Sequence, residues 1–412
     1  MKEYIKKIDG GVTAAKGFKA AAHAAGIKYK GRDDMALIFS DAPCVTAGTF
    51  TTNNVKAAPV IWDMQVIRNG AGCRAVVVNS GIANAATGKA GMEICEKTAE
   101  AMSSLYGGSR DGVLVASTGV IGMQIDAGRI TAGCGELYKK LSDSREAGEA
   151  AARAIMTTDT HKKESAVELT LSGGSTVRIG AMTKGSGMIH PNMCTMLGFV
   201  TTDADIDRTL LQKALTSVVD DTFNMISVDG DTSTNDTYVV LANSLAGNPR
   251  IETEEEDYER FREALFVVSE DLAKQMAGDG EGATSLFECR VCGARSVTDA
   301  KQLSKSVIGS SLCKAAIFGH DSNFGRFLCA LGYSGVSFDP EQVDIWYESA
   351  AGKMHIVHNG MGTGYDEEEA TRLLSEDKIT VLVDMHMGEA EATAWGCDLS
   401  YDYVKINADY RS

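Results

Sequence analysis

The chain has 412 residues, 44% hydrophobic and 23% charged, the balance of an ordinary globular protein, which excludes collagen, coiled-coil and disordered classes. Lys and Arg total 40 against 56 Asp and Glu, a net charge of -16 that opposes phosphate-backbone binding, so nucleic acid is not an expected partner. No window reaches the roughly 18 apolar residues of a membrane span, and the N-terminal MKEYIKKIDGG has no apolar stretch behind its lysines, so the expected location is the cytoplasm.

In chain order, strand-like runs come first at Met35–Ser40, Ala47–Thr52, Ala75–Asn79 and Val113–Ser117, the last two built from β-branched residues. Between and after them, Gly91–Tyr106 and Gly135–Met156 carry apolar residues at helical spacing, so strands and helices alternate as in a layered α/β domain. Arg208–Val219 places Leu211, Leu215 and Val218 on one helical face, and Glu252–Met276 reads as a long helix with acids in its first turn, complementing the dipole. From Asp344 the pattern turns to alternation, at Asp344–Tyr347, Met354–Val357, Ile379–Asp384 and Ala392–Asp398, with a helix over Asp366–Leu374. The predicted class is α/β, with mixed α and β layers.

Common catalytic motifs are absent. Gly81–Ala90 has the wrong spacing for a P-loop and an Ala where a magnesium-holding hydroxyl belongs, and Gly278–Gly282 follows a helix where a dinucleotide loop requires a strand. Lys184 stands where the first glycine of a nucleophile elbow around Ser186 should be, and Ser227–Thr237 lacks the glutamate that closes a calcium loop. The ten cysteines lie mostly in apolar segments and are expected as reduced thiols; Cys289 and Cys292 form a single CxxC without a second pair. The seven histidines form no HExxH, and His355 and His358 flank a strand, so neither metal nor cofactor is expected.

Met182–Thr202 packs small residues, a lysine and Thr195 ahead of an apolar run. A mid-chain threonine can attack the preceding carbonyl, here that of Cys194, and hydrolysis of the ester frees a new N-terminus. The freed α-amine, with a reference pKa near 8, can then take the proton from the hydroxyl of the same residue. A threonine opening a strand is more often only a good strand former, so composition leaves both readings open.

Met182–Leu197 (MTKGSGMIHPNMCTML) resembles the cleavage and nucleophile segment of the ornithine acetyltransferases, or bifunctional glutamate N-acetyltransferases, of arginine biosynthesis. Lys16–Gly26 (KGFKAAAHAAG), Gly48–Pro59 (GTFTTNNVKAAP), Val78–Asn84 (VNSGIAN), Ala116–Gly122 (ASTGVIG), Ile155–Thr160 (IMTTDT), Asp279–Thr284 (DGEGAT) and Ile406–Ser412 (INADYRS) resemble that family in order, over essentially the whole chain. Cys194 and Thr183 depart from the alanines usual at those positions, and Gly319–Arg326 (GHDSNFGR) varies its string, yet no catalytic group is lost.

The resemblance implies a DmpA/ornithine-acetyltransferase-like fold of stacked α-β-β-α layers, with an N-terminal nucleophile. It implies self-cleavage between Cys194 and Thr195 into an α chain, 1–194, and a β chain, 195–412, the latter with a smaller C-terminal domain from about 285. Acetyl transfer would run from N2-acetyl-L-ornithine to Thr195 and on to L-glutamate; acetyl-CoA is a substrate only if glutamate is also acetylated directly. Thr118 and Gly119 match the oxyanion-hole pair, and Thr158, Lys184, Thr195, Glu281, Asn407 and Ser412 match substrate-site positions. Charge suggests Lys184 for the substrate carboxylate and Glu281 for its ammonium. Thr158 is preferred to Thr157 by its spacing to Lys184, and the C-terminal tail is expected to fold back to the site. The implied assembly is a heterotetramer of two α and two β chains. Two rivals stand beside this reading: an amidohydrolase or aminopeptidase using the same threonine, and an unprocessed amino-acid-binding homologue.

Overall fold

A computed structural model describes residues 2–190 and 196–409, so Cys194, Thr195 and Ser412 lie outside the described residues. The elements run β1 (Ile5–Ile8), β2 (Phe18–His23), β3 (Met35–Phe50), α1 (Ala58–Asn69), β4 (Cys73–Asn79), α2 (Gly88–Tyr106), β5 (Val113–Ser117), α3 (Ala127–Lys139), α4 (Arg145–Ala154), β6 (Lys163–Thr170), β7 (Thr176–Lys184) and β8 (Leu197–Thr202). They continue with α5 (Arg208–Asp221), β9 (Ile226–Ser227), β10 (Thr237–Ala242), α6 (Glu256–Gly278), β11 (Leu286–Ala294), α7 (Val297–Gly309), α8 (Ser311–Phe318) and α9 (Phe324–Gly332). Then come β12 (Asp344–Ser349), β13 (Gly352–His358), β14 (Met361–Gly362), α10 (Glu367–Leu374), β15 (Lys378–Asp384), β16 (Ala390–Cys397) and α11 (Tyr401–Ala408).

Two compact units result, each with its own sheet. The first takes residues 1–185, 192–224 and 232–272, the second 186–191, 225–231 and 273–412. The class is mixed α/β, as the patterning predicts. Among the described residues no helix is long and apolar enough to cross a membrane.

In the first unit the strand order is β1-β6-β7-β8-β10-β3-β4-β5, with β2 on β3. The expected strands at 35–40 and 47–52 are one long strand, β3, whose register shifts between Phe39 and Cys44. Its first half pairs with β2 and β4 and its second half with β10. β4 and β5 pair in parallel and are buried along nearly their whole length, because α1 and α2 pack on them. That covering explains their unbroken apolar runs. The core gathers Met35, Leu37, Val76, Val78, Leu114, Ile94, Cys95 and Met102.

The helix expected over Gly135–Met156 is two helices. α3 ends at Lys139, and Ser144 opens α4 by accepting from the Ala147 N–H. An N-cap serine satisfies an orphan donor of a new helix, which favours a break over a continuous turn there.

The second sheet runs β14-β13-β12-β15-β11-β16-β9, with β11 parallel to β15 and antiparallel to β16. Helix α7 packs on β11 and β16. Cys289 is buried in β11 and Cys292 half-buried at its end, both as free thiols.

Candidate active-site residues

The first unit holds one group of the predicted residues. β5 delivers Thr118, whose N–H donates to Asn79 O at 3.0 Å, while Ser117 Oγ donates to Asn79 Oδ1 at 2.7 Å. Asn235 Nδ2 donates to Ala83 O (2.6 Å) and Ser117 O (2.7 Å), tying three segments into one rigid turn. Gly119 follows at φ +129°, and a Cβ there would stand 2.2 Å from the carbonyl carbon of Gly81. Only glycine combines that backbone conformation with so close an approach. Among the described residues the Gly119 N–H finds no acceptor.

Lys184, at the end of β7, is 8% exposed and donates from Nζ to Thr118 Oγ1 at 3.3 Å. Opposite it in the sheet stands Leu197, the first residue of β8. Behind Lys184 lies Asp159, whose Oδ1 accepts from Lys163 Nζ and from the Gly185 N–H, both at 2.7 Å. Its Oδ2 accepts from the Thr157 N–H at 3.0 Å and lies 4.0 Å from Lys184 Nζ. Burial alone would raise the Asp159 carboxyl, but Lys184 and Lys163 outweigh it and hold it well below the usual carboxylate range. Asp159 is therefore the fixed counter-charge of Lys184. Thr158 is half-buried in the same bend.

Asp236 is 1% exposed and sits just before β10, where Thr237 N–H donates to Met196 O at 2.8 Å. Burial pushes its carboxyl well above the usual range, against hydrogen bonds from Ser233, the Met196 N–H and Thr51. Burial thus favours the protonated form of this carboxyl, which donates as well as accepts a hydrogen bond. Sequence reading passed over both Asp159 and Asp236 as site residues; Asp159 stands inside the string Ile155–Thr160 quoted for the family and Asp236 inside the acidic run Ser227–Thr237, and the only further signal was an acid among apolar and hydroxyl residues.

The second unit holds another group. Glu281 is 6% exposed, and its N–H donates to Ser186 O at 2.9 Å. Its carboxylate lies flat over Gly187, where a Cβ would come 2.3 Å from Glu281 Cδ. Asn407, on α11, donates from Nδ2 to Glu281 Oε2 at 2.8 Å, so the C-terminal helix does fold back to this carboxylate. Asp229 accepts from the Met188 and Ile189 N–H groups at 2.6 and 2.9 Å. Burial first, then Asp229 and Glu281, raise the nearby Tyr403 hydroxyl, the signature of a locally negative surface. Such a surface suits a cationic group.

The ArgJ family model matches residues 19–412. The arginine biosynthesis bifunctional protein ArgJ of Symbiobacterium thermophilum is 52% identical over 405 residues, covering 98% of this chain and 99% of that protein. The glutamate N-acetyltransferase of Methanocaldococcus jannaschii is 46% identical, covering 98% of this chain and 100% of its own. A crystal structure of ornithine acetyltransferase complexed with ornithine, from Mycobacterium tuberculosis, is 40% identical and covers 47% of this chain and 100% of that one, with a TM-score of 0.42. The family model over residues 19–412 and the two relatives, 52% and 46% identical over 98% of this chain, show that the chain belongs to the ArgJ family.

Proposed function

We propose that this chain carries the acetyl group of N2-acetyl-L-ornithine to L-glutamate through an acetyl ester on Thr195. As a member of the ArgJ family it is an acetyltransferase of arginine biosynthesis. The observation that supports the mechanism is the turn that holds the Thr118 hydroxyl, an uncommitted Gly119 N–H and the buried Lys184 cation at the start of β8, two residues beyond Thr195.

Attack of a threonine hydroxyl on an amide carbonyl places negative charge on oxygen, and preorganised donors at that point are usually the largest catalytic contribution. The Thr118 hydroxyl and the Gly119 N–H serve as those donors. Thr195 first attacks the Cys194 carbonyl, and hydrolysis of the ester separates an α chain, 1–194, from a β chain, 195–412. The new α-amine accepts the hydroxyl proton when Thr195 next attacks the acetyl carbonyl of the substrate. Ornithine leaves, and the glutamate amine takes the acetyl group by the reverse steps.

Lys184 binds a substrate carboxylate and Glu281, held by Asn407, a substrate ammonium; Thr158 and Ser412 complete the substrate contacts. After the cut, β7 of the α chain and β8 of the β chain are still joined by sheet hydrogen bonds, as are β3 and β10. Two such pairs form the heterotetramer, the cytoplasm is the location, and acetyl-CoA serves as a second acetyl donor where direct glutamate acetylation is observed.

Denaturing mass measurement with N-terminal sequencing tests this reading. Wild type gives two chains, one beginning Thr-Met-Leu-Gly, and Thr195→Ala gives one chain with no transfer. A cleaved or active Thr195→Ala protein ends the nucleophile assignment, and acetate release independent of glutamate favours an amidohydrolase.

A further inference from the structure

We propose that Asp344, His355 and His358, in the second unit, bind a divalent transition-metal ion of the zinc type, with His386 as an outer partner. His358 Nδ1 lies 3.1 Å and His355 Nε2 3.7 Å from Asp344 Oδ1, and one ligand atom from each of the three residues falls within 4.8 Å of the other two. Tetrahedral zinc with bonds of about 2.0–2.1 Å requires ligand atoms about 3.3–3.4 Å apart. The two separations from Asp344 Oδ1, 3.1 and 3.7 Å, bracket that spacing before any ion is added, and the two imidazoles lie within 4.8 Å of each other.

The backbone explains how two histidines three apart in a strand meet. Alternation puts residues at odd separation on opposite faces. In β13, however, Ile345 of β12 faces Val357 and Trp346 faces His355, so Ile356 is an extra residue at a bulge. Ile356 and Val357 are accordingly both buried. The bulge turns the strand by one place and brings His355 and His358 to one side.

The surroundings also orient the ligands. Trp346 stacks on the His355 ring, 4.5 Å between centroids at 14°, and His355 Nε2 is buried without a hydrogen-bond partner among the described residues. A buried imidazole nitrogen left unsatisfied needs an explanation, and a metal bond supplies one. Asp344 is 7% exposed; its Oδ1 accepts from the Asn359 N–H at 2.8 Å, and its Oδ2 lies 3.1 Å from His386 Nε2. Asn359 and His386 both adopt left-handed backbone, at φ 49°, a cost kept where surrounding contacts fix a functional geometry. A carboxylate held on its far oxygen by a second imidazole is the outer support typical of metal ligands.

Two imidazoles and a carboxylate favour zinc, cobalt or nickel over magnesium or calcium, which prefer oxygen donors. Three protein ligands leave a position open to water. The half-exposed His358 and His386 give the ion a route from solvent.

The test uses the whole chain, prepared without a polyhistidine tag and stripped with chelator, titrated calorimetrically with Zn2+ and by visible absorption with Co2+. Wild type binds one equivalent of each, and excess Mg2+ does not displace it. His358→Gln and Asp344→Asn each weaken binding by about tenfold or more, while His320→Gln, at a histidine outside the cluster, binds as wild type. Circular dichroism confirms the fold of each variant; because the His358 side chain is 60% exposed, its replacement leaves the core intact. Failure of wild type to bind stoichiometrically, displacement by Mg2+, or wild-type binding by His358→Gln overturns the proposal.

Discussion

Replacing Asp159 by Asn keeps its size but leaves one acceptor oxygen where two serve, Oδ1 for the Gly185 N–H and Oδ2 for the Thr157 N–H, and removes the charge that faces Lys163 and Lys184. Asp159 and Lys163 both have side chains 0% exposed, so water cannot replace the lost partner. Breaking a buried ion pair by removing one member costs about 3–5 kcal/mol. At about 2–4 °C per kcal/mol for a cooperative unit of 150–250 residues, Tm falls by roughly 6–20 °C. The pH dependence has a definite sign. The folded carboxyl titrates below its unfolded value of about 3.9, so its contribution is complete above that value and is lost as pH falls toward the depressed one. Urea unfolding of both proteins between about pH 3 and 8 measures this: the gap is flat from about pH 5 upward and narrows below about pH 4. A variant within about 1 kcal/mol of wild type at neutral pH, or a gap that does not narrow in acid, refutes the assignment of Asp159 as an ionised counter-charge.

Gly119→Ala forces the Gly81 backbone aside and is expected to lower kcat by about 100-fold or more, as loss of an oxyanion donor does, with a stability loss of about 1–3 kcal/mol from the strained backbone; steady-state kinetics alongside thermal unfolding separates the two effects, and unaltered kcat removes Gly119 from the site. Glu281→Gln retains the Asn407 contact but not the charge, so KM for N2-acetylornithine rises by about tenfold or more while Tm stays within about 2 °C; equal KM values in the two proteins would discard the ammonium assignment. Asp63, 1% exposed, accepts from the Val115 N–H at 2.8 Å, and burial raises its carboxyl well above the usual range. The folded state then keeps a proton that the unfolded chain has released, so wild-type stability falls with rising pH relative to Asp63→Asn, by about 1.4 kcal/mol per pH unit above pH ~4 and up to the raised folded value. Unfolding free energies with parallel pH slopes contradict this.

Much of this protein was legible from local pattern. The apolar runs of β4 and β5, the helical spacing of α2 and α5 and the alternation of β15 report burial by neighbours, and burial leaves a periodic trace in the chain. Successive matching strings identified the family and the residues expected to act. Where competing signals overlapped, pattern misled: helical spacing carries on from Leu137 to Leu141, yet the cap at Ser144 divides the helix. What only the tertiary structure decided is which charges meet. Lys184 reaches Thr118 from 66 residues away because β5 and β7 deliver both to one turn, and Asp159 is a counter-ion because the β6–β7 register sets Lys163 beside Thr183. The histidines at 355 and 358 share a face because one extra residue in β13 shifts the alternation on which the sequence reading relied. Periodicity records which side of an element is buried, whereas registers, bulges and crossings are settled by pairing between distant segments, and those pairings create the ion pairs and ligand clusters.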